Sequence, residues 1–278
     1  MTKSDAARYC IETLRDGGFD EAESDSRLLL EYILGITRSD LILNGNVELD
    51  GESVDRIKDA IAKRLMHIPV QHITGYQNFM GLEFAVNKNV LIPRQDTETL
   101  VEEILRLGFS GIDVLDMCTG SGCILLSILK YSHGFTGVGA DISGEALEVA
   151  KGNSKRLSID AEFIQSNLFE NISNDRKFDI IVSNPPYIRS DVIPTLMEEV
   201  RCHEPVIALD GEKDGLHFYR KIIDSAPDYL KKGGRLYFEI GYDQGQEVSS
   251  LMKQIGFEDV NIVKDLAGLD RVVYGEWA

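Results

Sequence analysis

The sequence predicts an α/β protein with a doubly wound, mostly parallel sheet, preceded by a small N-terminal helical bundle and a linking β-hairpin. Three observations predict this fold. Before residue 70, apolar residues recur at helical spacing. Residues 73–92 carry two short strand-like runs around a glycine turn. From residue 96, strand-length apolar runs alternate with helical segments, which is typical of parallel strands covered by helices on both faces.

Residues 1–72 are predicted to form a domain of short helices. Glycine-containing breaks at 17–18, 35 and 44–46 divide this segment, and Pro69 ends it. Between the breaks, apolar side chains lie three or four positions apart, so each helix has an apolar face. These side chains are Ala7, Cys10, Ile11, Leu14, Leu29, Leu30, Ile33, Leu34, Ile57, Ile61 and Leu65.

Residues 73–92 are predicted to link the two domains through a hairpin that turns at Gly81-Leu82. Residues 93–278 are predicted to form the sheet domain. Asp96 is a suitable N-cap for its first helix, and Pro227 is expected to bend a later helix. The predicted strands are 112–117, 135–140, 163–164, 178–183, 235–240, 260–263 and 271–274, and the other helices are 124–129, 144–155, 216–230 and 246–255.

The composition is that of a globular protein, with 278 residues, 43% hydrophobic and 27% charged. The chain has no run of about 18 apolar residues for a membrane span, and its first residues lack an apolar signal segment. A formal net charge of −17 disfavours a large nucleic-acid groove. We therefore expect a cytoplasmic protein with no membrane or direct nucleic-acid partner. The spacing of the four cysteines predicts neither a disulfide framework nor a metal site. They are Cys10, Cys118, Cys123 and Cys202.

The first strand of the sheet domain ends in a glycine-rich turn, Asp116-Met117-Cys118-Thr119-Gly120-Ser121-Gly122. A turn of this kind lets a ligand approach the backbone closely. It is not G-x-G-x-x-G, because position 125 is Leu, and this disfavours a dinucleotide. Asp141 closes the next strand 19 positions after Gly122, where an acidic side chain accepts from a ribose hydroxyl. The pair predicts a nucleoside ligand; the alternative is tight packing by the glycines and helix capping by Asp141.

Asn184-Pro185-Pro186-Tyr187 directly follows the strand predicted over 178–183. Two prolines end a strand, because neither donates to the ladder and both have φ fixed at about −65°. The Asn184 side-chain oxygen and the Pro185 carbonyl are two acceptors that match the two donors of a planar –NH2 group. The Tyr187 ring suits the flat face of the same group. The turn predicts recognition of an amide or a base; the alternative is a turn that only terminates the strand.

Asn167 and Leu168 follow the third predicted strand of the sheet domain. Like Asn184, they lie at the carboxyl end of a strand, where ligands of doubly wound sheets bind. Asn167 is predicted to meet an adenine amino group, and Leu168 to cover the ring. The alternative is an exposed loop.

Together these residues resemble the S-adenosylmethionine-dependent methyltransferases, and the Asn-Pro-Pro-Tyr turn marks the branch that methylates planar nitrogen. Over nearly the whole chain, further motifs resemble the peptide chain release factor glutamine methyltransferases, the HemK/PrmC family. These motifs are Pro69-Val70-Gln71-His72-Ile73-Thr74-Gly75, Leu91-Ile92-Pro93-Arg94-Gln95-Asp96-Thr97-Glu98, Glu204-Pro205, Ala208-Leu209 and Asp214-Gly215-Leu216.

The resemblance implies a class I methyltransferase-like fold with S-adenosylmethionine as the cofactor and no metal. It implies that the partner is a bacterial peptide chain release factor, whose Gly-Gly-Gln loop would carry N5-methylglutamine as the product. We expect Asn184, Pro185 and Tyr187 to be catalytic, and these three with Pro186 to bind the substrate. The expected cofactor-binding residues are Cys118, Thr119, Gly120, Ser121, Gly122, Asp141, Asn167, Leu168 and Asn184.

The chain departs from the family pattern at three positions. Cys118 replaces the usual Gly of the loop, which puts a Cβ near the methionine part of the cofactor. Asn167 replaces a frequent Asp, which affects the expected adenine contact. Gln95 replaces a common Pro, with little expected effect.

The proposed chemistry needs orientation rather than a base, because the amide proton becomes acidic as the N–C bond forms. His203 is therefore expected to be structural or to line the substrate site. Three alternatives stay open: a ribosomal-protein glutamine methyltransferase, a DNA adenine-N6 methyltransferase, and a binding protein that has lost cofactor affinity through Cys118. The second would need to flip a base and grip phosphates, and the acidic composition disfavours it.

Overall fold

The computed structural model describes every residue of the chain except Phe109. The described residues form two compact units. The helical unit comprises Met1–Tyr76 and Met197–His203, and the sheet unit comprises Gln77–Leu196 and Glu204–Ala278. A short internal segment therefore belongs to the helical unit although the sheet unit flanks it in sequence. Across the part of the chain described here, no helix is both long and apolar enough to cross a membrane.

The helical unit is built from short capped helices, as the apolar spacing predicts. The side chains of Thr2, Thr37 and Asp50 each accept a hydrogen bond from the backbone N–H three residues later. Its apolar faces meet in one core that includes Ala6, Cys10, Leu14, Leu29, Leu30, Ile57 and Ile61. The N-terminal helices are α1 (Lys3–Asp16), α2 (Ala22–Leu34), α3 (Arg38–Leu43), α4 (Gly51–Leu65) and α5 (Val70–Thr74).

Arg64 holds the internal segment in the helical unit. Its Nε lies 2.7 Å from Oδ2 of Asp25, and its Nη2 lies 2.7 Å from Oε2 of Glu199 in α9 (Glu198–His203). The guanidinium also lies 4.3 Å from the centre of the Phe19 ring. Because the Arg64 side chain is only 7% exposed, losing one carboxylate would leave buried charge without its partner.

The predicted hairpin is formed by β1 (Tyr76–Phe79) and β2 (Leu82–Ala85). Met80 and Gly81 at the turn both have positive φ, 50° and 69°, which suits a two-residue hairpin turn. The buried rings of Phe79 and Phe84 meet edge to face, with centroids 6.1 Å apart.

Seven strands form the main sheet, in the order β5-β4-β3-β6-β7-β9-β8. The first five are parallel to one another, whereas β9 is antiparallel to β7 and to β8. The prediction of a mostly parallel sheet is confirmed. The strands are β3 (Asp113–Met117), β4 (Thr136–Asp141), β5 (Glu162–Gln165), β6 (Phe178–Ser183), β7 (Leu230–Glu239), β8 (Phe257–Lys264) and β9 (Asp270–Trp277).

Helices pack on both faces of the sheet, as a doubly wound fold requires. One apolar cluster includes Tyr219 of α10 (His217–Ser225) and Val248 of α11 (Gly245–Ile255). The other face is covered by α6 (Glu98–Leu105) and α7 (Cys123–Tyr131), whose buried side chains are Leu100, Val101, Ile104, Cys123, Ile124, Leu125, Leu126 and Ile128. The remaining helix of this unit is α8 (Gly144–Leu157).

Two expected features differ. Asp96 does not cap α6: it lies in a 3-10 turn, and α6 begins at Glu98 with no side-chain hydrogen bond at its N-cap, Thr97. The sequence predicts a helix over 216–230 bent at Pro227, but α10 ends at Ser225 and Pro227 lies in a 3-10 turn. Proline lacks an N–H and clashes with the preceding helical turn, so here it ends the helix instead of bending it. The chain then enters β7 at Leu230, earlier than the predicted start at Arg235.

The strand register brings the ends of the central strands together. Met117 at the end of β3 lies opposite Ala140 of β4 and Ser183 of β6. Asp141 lies opposite Gln165 at the end of β5. The residues that follow these strands therefore meet at one edge of the sheet, as expected for ligand-binding residues of this fold class.

Candidate active site

A cavity of about 290 Å³ lies at this edge, within the sheet unit. The predicted site residues that line it are Cys118, Thr119, Gly120, Ser121, Asp141, Asn167, Leu168, Asn184 and Pro186. Gly122, Pro185 and Tyr187 do not line it in the described part of the chain. The structure thus gathers most of the predicted residues around one space, and the other three are sequence neighbours of lining residues.

The glycine turn after β3 is tied to the next strand by its backbone. The Thr119 N–H donates to the Ala140 carbonyl at 3.0 Å, and Gly120 has φ of 55°. Gly122 begins α7 with φ of 79°, and a Cβ there would lie 3.2 Å from the Ala150 Cβ. Gly122 therefore permits the close packing of α7 and α8, whereas Gly120 keeps the backbone open to the cavity.

Asp141 is held on the cavity wall by two backbone donors, whereas the N-cap of α8 is Ser143. Oδ2 accepts from the Gly120 N–H and Oδ1 accepts from the Ser143 N–H, each at 2.9 Å. Each oxygen keeps lone-pair capacity for a further donor such as a ribose hydroxyl. Burial raises the pKa of the Asp141 carboxyl, against the lowering effect of the backbone donors. The carboxylate thus fixes the glycine loop and remains an acceptor on the cavity wall.

Cys118 stands in the left-handed region with φ of 63°. A residue with a Cβ is strained there, so the departure from Gly has a structural cost. Burial raises the pKa of the Cys118 thiol, and the nearby Asp141 charge adds to the rise. The side chain on this wall is therefore a neutral thiol, and its bulk rather than its charge affects a ligand.

Asp116 is a buried carboxyl behind the glycine turn to which the sequence assigned no role. Its Oδ2 accepts from the Thr119 hydroxyl at 2.6 Å and from the Leu125 N–H at 3.3 Å. Its Oδ1 is buried without a hydrogen-bond partner among the residues that the structure describes. Burial raises the pKa of Asp116 to about 7.

Asn167 and Leu168 line the cavity from the end of β5. The Asn167 amide donates to Glu170 Oε1 at 2.7 Å, which leaves its side-chain oxygen as an acceptor. Leu168 has φ of 50°, and its carbonyl accepts from the Ser166 hydroxyl. Ile142, which follows Asp141, lines the same cavity and is 48% exposed. The sequence did not predict a role for it, because an apolar residue directly after the acidic end of a strand is only a weak signal.

The Asn-Pro-Pro-Tyr turn is held from behind by the segment that carries the 208–216 motifs. The Ile188 N–H donates to the Leu209 carbonyl at 3.0 Å, and the Gly211 N–H donates to the Ile188 carbonyl at 2.7 Å. A Cβ at Gly211 would lie 2.7 Å from Tyr187 Cα, and one at Gly215 would lie 2.4 Å from the Tyr187 carbonyl oxygen. These glycines are needed because the turn packs directly on them.

Asn184 is half-buried on the cavity wall, and its side chain makes no hydrogen bond to any residue described by the structure. Pro185 is buried beneath it. The hydroxyl of Tyr187 donates to Glu239 Oε1 at 3.2 Å. The turn therefore offers an unused amide acceptor next to the cavity, on a backbone that the prolines keep rigid.

Comparison with known proteins supports what this geometry indicates. Residues 5–75 match the family model of the PrmC N-terminal domain, and residues 95–200 match that of the methyltransferase small domain. A release factor glutamine methyltransferase of Caulobacter vibrioides is 41% identical over 271 residues, covering 95% of this chain and 92% of the relative. One from Clostridium acetobutylicum is 42% identical over 278 residues and 98% of each chain. The chain belongs to the release factor glutamine methyltransferase family.

A solved structure supports the fold of the sheet unit. A methyltransferase from Pyrococcus furiosus aligns with a TM-score of 0.52 at 16% identity, covering 70% of this chain and 89% of that chain. The predicted family and the class I methyltransferase-like fold are confirmed.

Two motifs of this release factor glutamine methyltransferase family form the other side of the cavity. Pro93 and Arg94 line it together with Pro205. The Arg94 guanidinium is paired with Glu204, whose side chain is only 1% exposed, and Glu204 also accepts from the Ile92 N–H at 3.4 Å. The family motifs pointed to Arg94 and Glu204, but their spacing in the sequence did not predict that the two side chains form an ion pair.

His203 lies in the helical unit, where its Nε2 is 3.1 Å from the Met66 carbonyl. It does not line the cavity of the sheet unit. In the described chain, no group of three or more His, Cys, Asp or Glu side chains is arranged to hold a metal ion.

Proposed function

We propose that this protein transfers a methyl group from S-adenosylmethionine to the side-chain amide nitrogen of the Gln in the Gly-Gly-Gln motif of peptide chain release factors. The observation that carries the proposal is the unused Asn184 acceptor beside the glycine-rich loop, in a chain about 40% identical to enzymes named for this activity. The product is N5-methylglutamine in the release factor.

The cavity wall suits S-adenosylmethionine. Asp141 retains acceptor capacity for ribose hydroxyls, and Asn167 retains a side-chain oxygen for the adenine amino group. Ile142 and Leu168 supply apolar surface for the adenine ring. The loop from Cys118 to Ser121 would hold the methionine part, and Gly122 would act indirectly by fixing that loop. The cofactor supplies an electrophilic methyl group to the site.

The chain's own contribution is to orient the substrate amide. The Asn184 side-chain oxygen and the Pro185 carbonyl accept the two N–H bonds of the glutamine amide, which holds the nitrogen lone pair towards the methyl group. Pro186 fixes the turn, and the Tyr187 ring lies against the amide plane. Orientation of this kind is worth about 7–11 kcal/mol in favourable systems. Acceptors aimed at the nitrogen as it becomes positive add electrostatic stabilisation.

The helical unit is proposed to recognise the body of the release factor, because one Gln side chain offers too few contacts to select a protein. On this proposal the chain divides into a recognition domain at 1–72, a linker with the hairpin at 73–92, and a catalytic domain at 93–278. The site would be used in the cytoplasm, where release factors act. No direct nucleic-acid or membrane contact is needed.

Radiolabelled methyl transfer to three substrates tests the proposal. The purified protein is incubated with S-adenosylmethionine and, in parallel, with release factor, ribosomal protein and DNA. We expect label in the release factor and its loss when the Gln of Gly-Gly-Gln is replaced. Faster labelling of ribosomal protein would favour the related glutamine methyltransferase activity. Labelling of DNA would mean that the Asn-Pro-Pro-Tyr turn receives adenine.

A further inference from the structure

Glu239 is a buried carboxylate at the end of β7, the strand next to β6. The residue is 1% exposed. Oε1 accepts from the Tyr187 hydroxyl at 3.2 Å, whereas Oε2 has no hydrogen-bond partner in the described part of the chain. An unsatisfied buried oxygen costs stability, and an apolar side chain would avoid that cost. Fold stability alone therefore does not favour a glutamate here.

The charged groups around Glu239 do not explain it as an ordinary ion pair. Arg271, the nearby cation, lies with Nη2 3.0 Å from Asp265 Oδ2 and 3.3 Å from Asp96 Oδ2. Its guanidinium is thus paired with two other carboxylates. Burial raises the pKa of Glu239, although Thr97 and Arg271 oppose the rise. The hydroxyls of Tyr187 and Thr97 both act on this carboxyl, and of the two the Tyr187 hydroxyl lies within hydrogen-bond distance of it.

The same segment also holds the backbone of Tyr187. The Gln244 amide donates to the Tyr187 carbonyl at 3.0 Å, and the Gly241 N–H fixes that amide by donating to Gln244 Oε1 at 3.0 Å. The Tyr219 hydroxyl donates to the Glu239 carbonyl at 2.9 Å. Tyr187 is therefore held at both ends, by its carbonyl and by its hydroxyl, and its side chain cannot swing away from this place without breaking a hydrogen bond.

We propose that Glu239 is a positioning residue, which sets the orientation of the Tyr187 ring at the substrate amide through the phenol hydroxyl. The inference rests on the proposed function, because it assigns the ring to the glutamine amide. Glu239 does not contact the substrate or the cofactor. Its role is to fix the position of the Tyr187 side chain before the substrate arrives, so that the amide plane meets a ring already in place.

A double-mutant cycle tests this. Glu239→Leu and Tyr187→Phe each remove the hydrogen bond, and each is expected to lower kcat about 10–100-fold, the range for a small misplacement at a reacting centre. The double variant is expected to be no slower than the slower single variant, because both changes break the same contact. Glu239→Gln keeps an acceptor oxygen and should recover most of the turnover. The calorimetric Kd for S-adenosylmethionine should be unchanged in all variants.

Tyr237→Phe is the matched control, since it removes a buried hydroxyl two residues away on the same strand. It should turn over like wild type. Additive losses in the double variant, or cofactor affinity falling in parallel with kcat, would make Glu239 a structural residue. If Glu239→Leu does not fold, Tyr187→Phe still decides: wild-type turnover by that variant overturns the inference. Failure of the wild-type protein to methylate release factor would instead overturn the proposed function.

Discussion

Asp141 and Gly120 are joined by a hydrogen bond from the Gly120 N–H to Oδ2, 2.9 Å long. The residue predicted to bind ribose thus also fixes the loop predicted to hold the methionine part of the cofactor. Its second oxygen holds the start of α8 through the Ser143 N–H. We therefore expect cofactor affinity to depend on this one carboxylate in two ways, directly and through the shape of the loop.

Asp141→Ala should mainly weaken the binding of S-adenosylmethionine. Loss of a hydrogen bond to a charged group costs about 1.5–3 kcal/mol, or roughly 10–150-fold in Kd. Isothermal calorimetry measures the change. Asp160→Ala, in an exposed position after α8, is the control and should bind like wild type. An unchanged Kd for Asp141→Ala would remove Asp141 from the cofactor site.

Asn184→Ala should mainly lower turnover, in contrast to Asp141→Ala, which should mainly weaken cofactor binding. It removes an acceptor for the reacting amide, so kcat should fall strongly while the Kd for the cofactor changes little, because the interaction matters most in the transition state. Asn261→Ala provides the matched control, since Asn261 is exposed on β8 and does not line the cavity. Steady-state methylation of release factor and calorimetry separate the two effects. Near wild-type turnover by Asn184→Ala would show that the amide is held elsewhere.

Cys118→Gly should stabilise the fold by about 1 kcal/mol, because glycine adopts a positive φ without the strain of a Cβ. The Cβ and thiol also leave the cavity wall, so we expect equal or tighter binding of S-adenosylmethionine. Ser158→Gly is the control: Ser158 has φ of 54° but does not line the cavity. It should be stabilised similarly with no change in affinity. Chemical denaturation and calorimetry measure both quantities, and weaker binding by Cys118→Gly would mean that the thiol itself contacts the ligand.

Asp116 should make stability depend on pH. Burial raises its pKa from 3.8 to about 7, so the unfolded chain loses this proton at a lower pH than the folded protein. The contribution of the protonated group is complete below pH 3.8 and is lost as the pH rises towards 7. The slope is at most about 1.4 kcal/mol per pH unit. Asp116→Asn should remove it, as denaturation at several pH values would show; equal slopes for the two proteins would contradict the shift.

Local pattern and strand register were enough to predict which residues would gather around one cavity. Apolar runs located β3, β4 and β6, and parallel strands bring their carboxyl ends to one edge. It could therefore be predicted without any information on distant contacts that Asp141 and Asn184 lie at the same cavity. Ile142 was missed because one apolar residue after a strand has no distinctive local pattern.

Contacts between distant segments were beyond prediction from local pattern. Glu239 looks like part of an apolar strand, and only the fold brings its carboxylate to the Tyr187 hydroxyl. Likewise, the attachment of α9 to the helical unit depends on Arg64 and Glu199, which are far apart in the chain. An interruption of the helix near Pro227 was predicted. Whether a proline bends or ends a helix, however, depends on what the next residues pair with, and here they pair with the neighbouring strand β6.

Removal of the helical segment should separate cofactor binding from recognition of the protein substrate. A chain beginning near Ile73 is expected to bind S-adenosylmethionine, because the cavity lies within the sheet unit. It should methylate intact release factor poorly, since the proposed recognition surface is gone. A short peptide containing Gly-Gly-Gln serves as the matched substrate, and both proteins should methylate it at similar rates.

The truncation also removes Asp25, Arg64 and Met66, and with them the contacts of the helical unit with Glu199 and His203. Thermal melting must therefore show a cooperative fold before rates are compared. Glu199→Ala in the full chain isolates this effect, because it releases α9 from Arg64 while the Arg64 contacts with Asp25 and Phe19 stay in place. If the folded truncation methylates intact release factor at the full-length rate, the helical unit does not select the substrate. If Glu199→Ala alone reproduces the defect, the segment around α9 carries the effect and not the N-terminal surface.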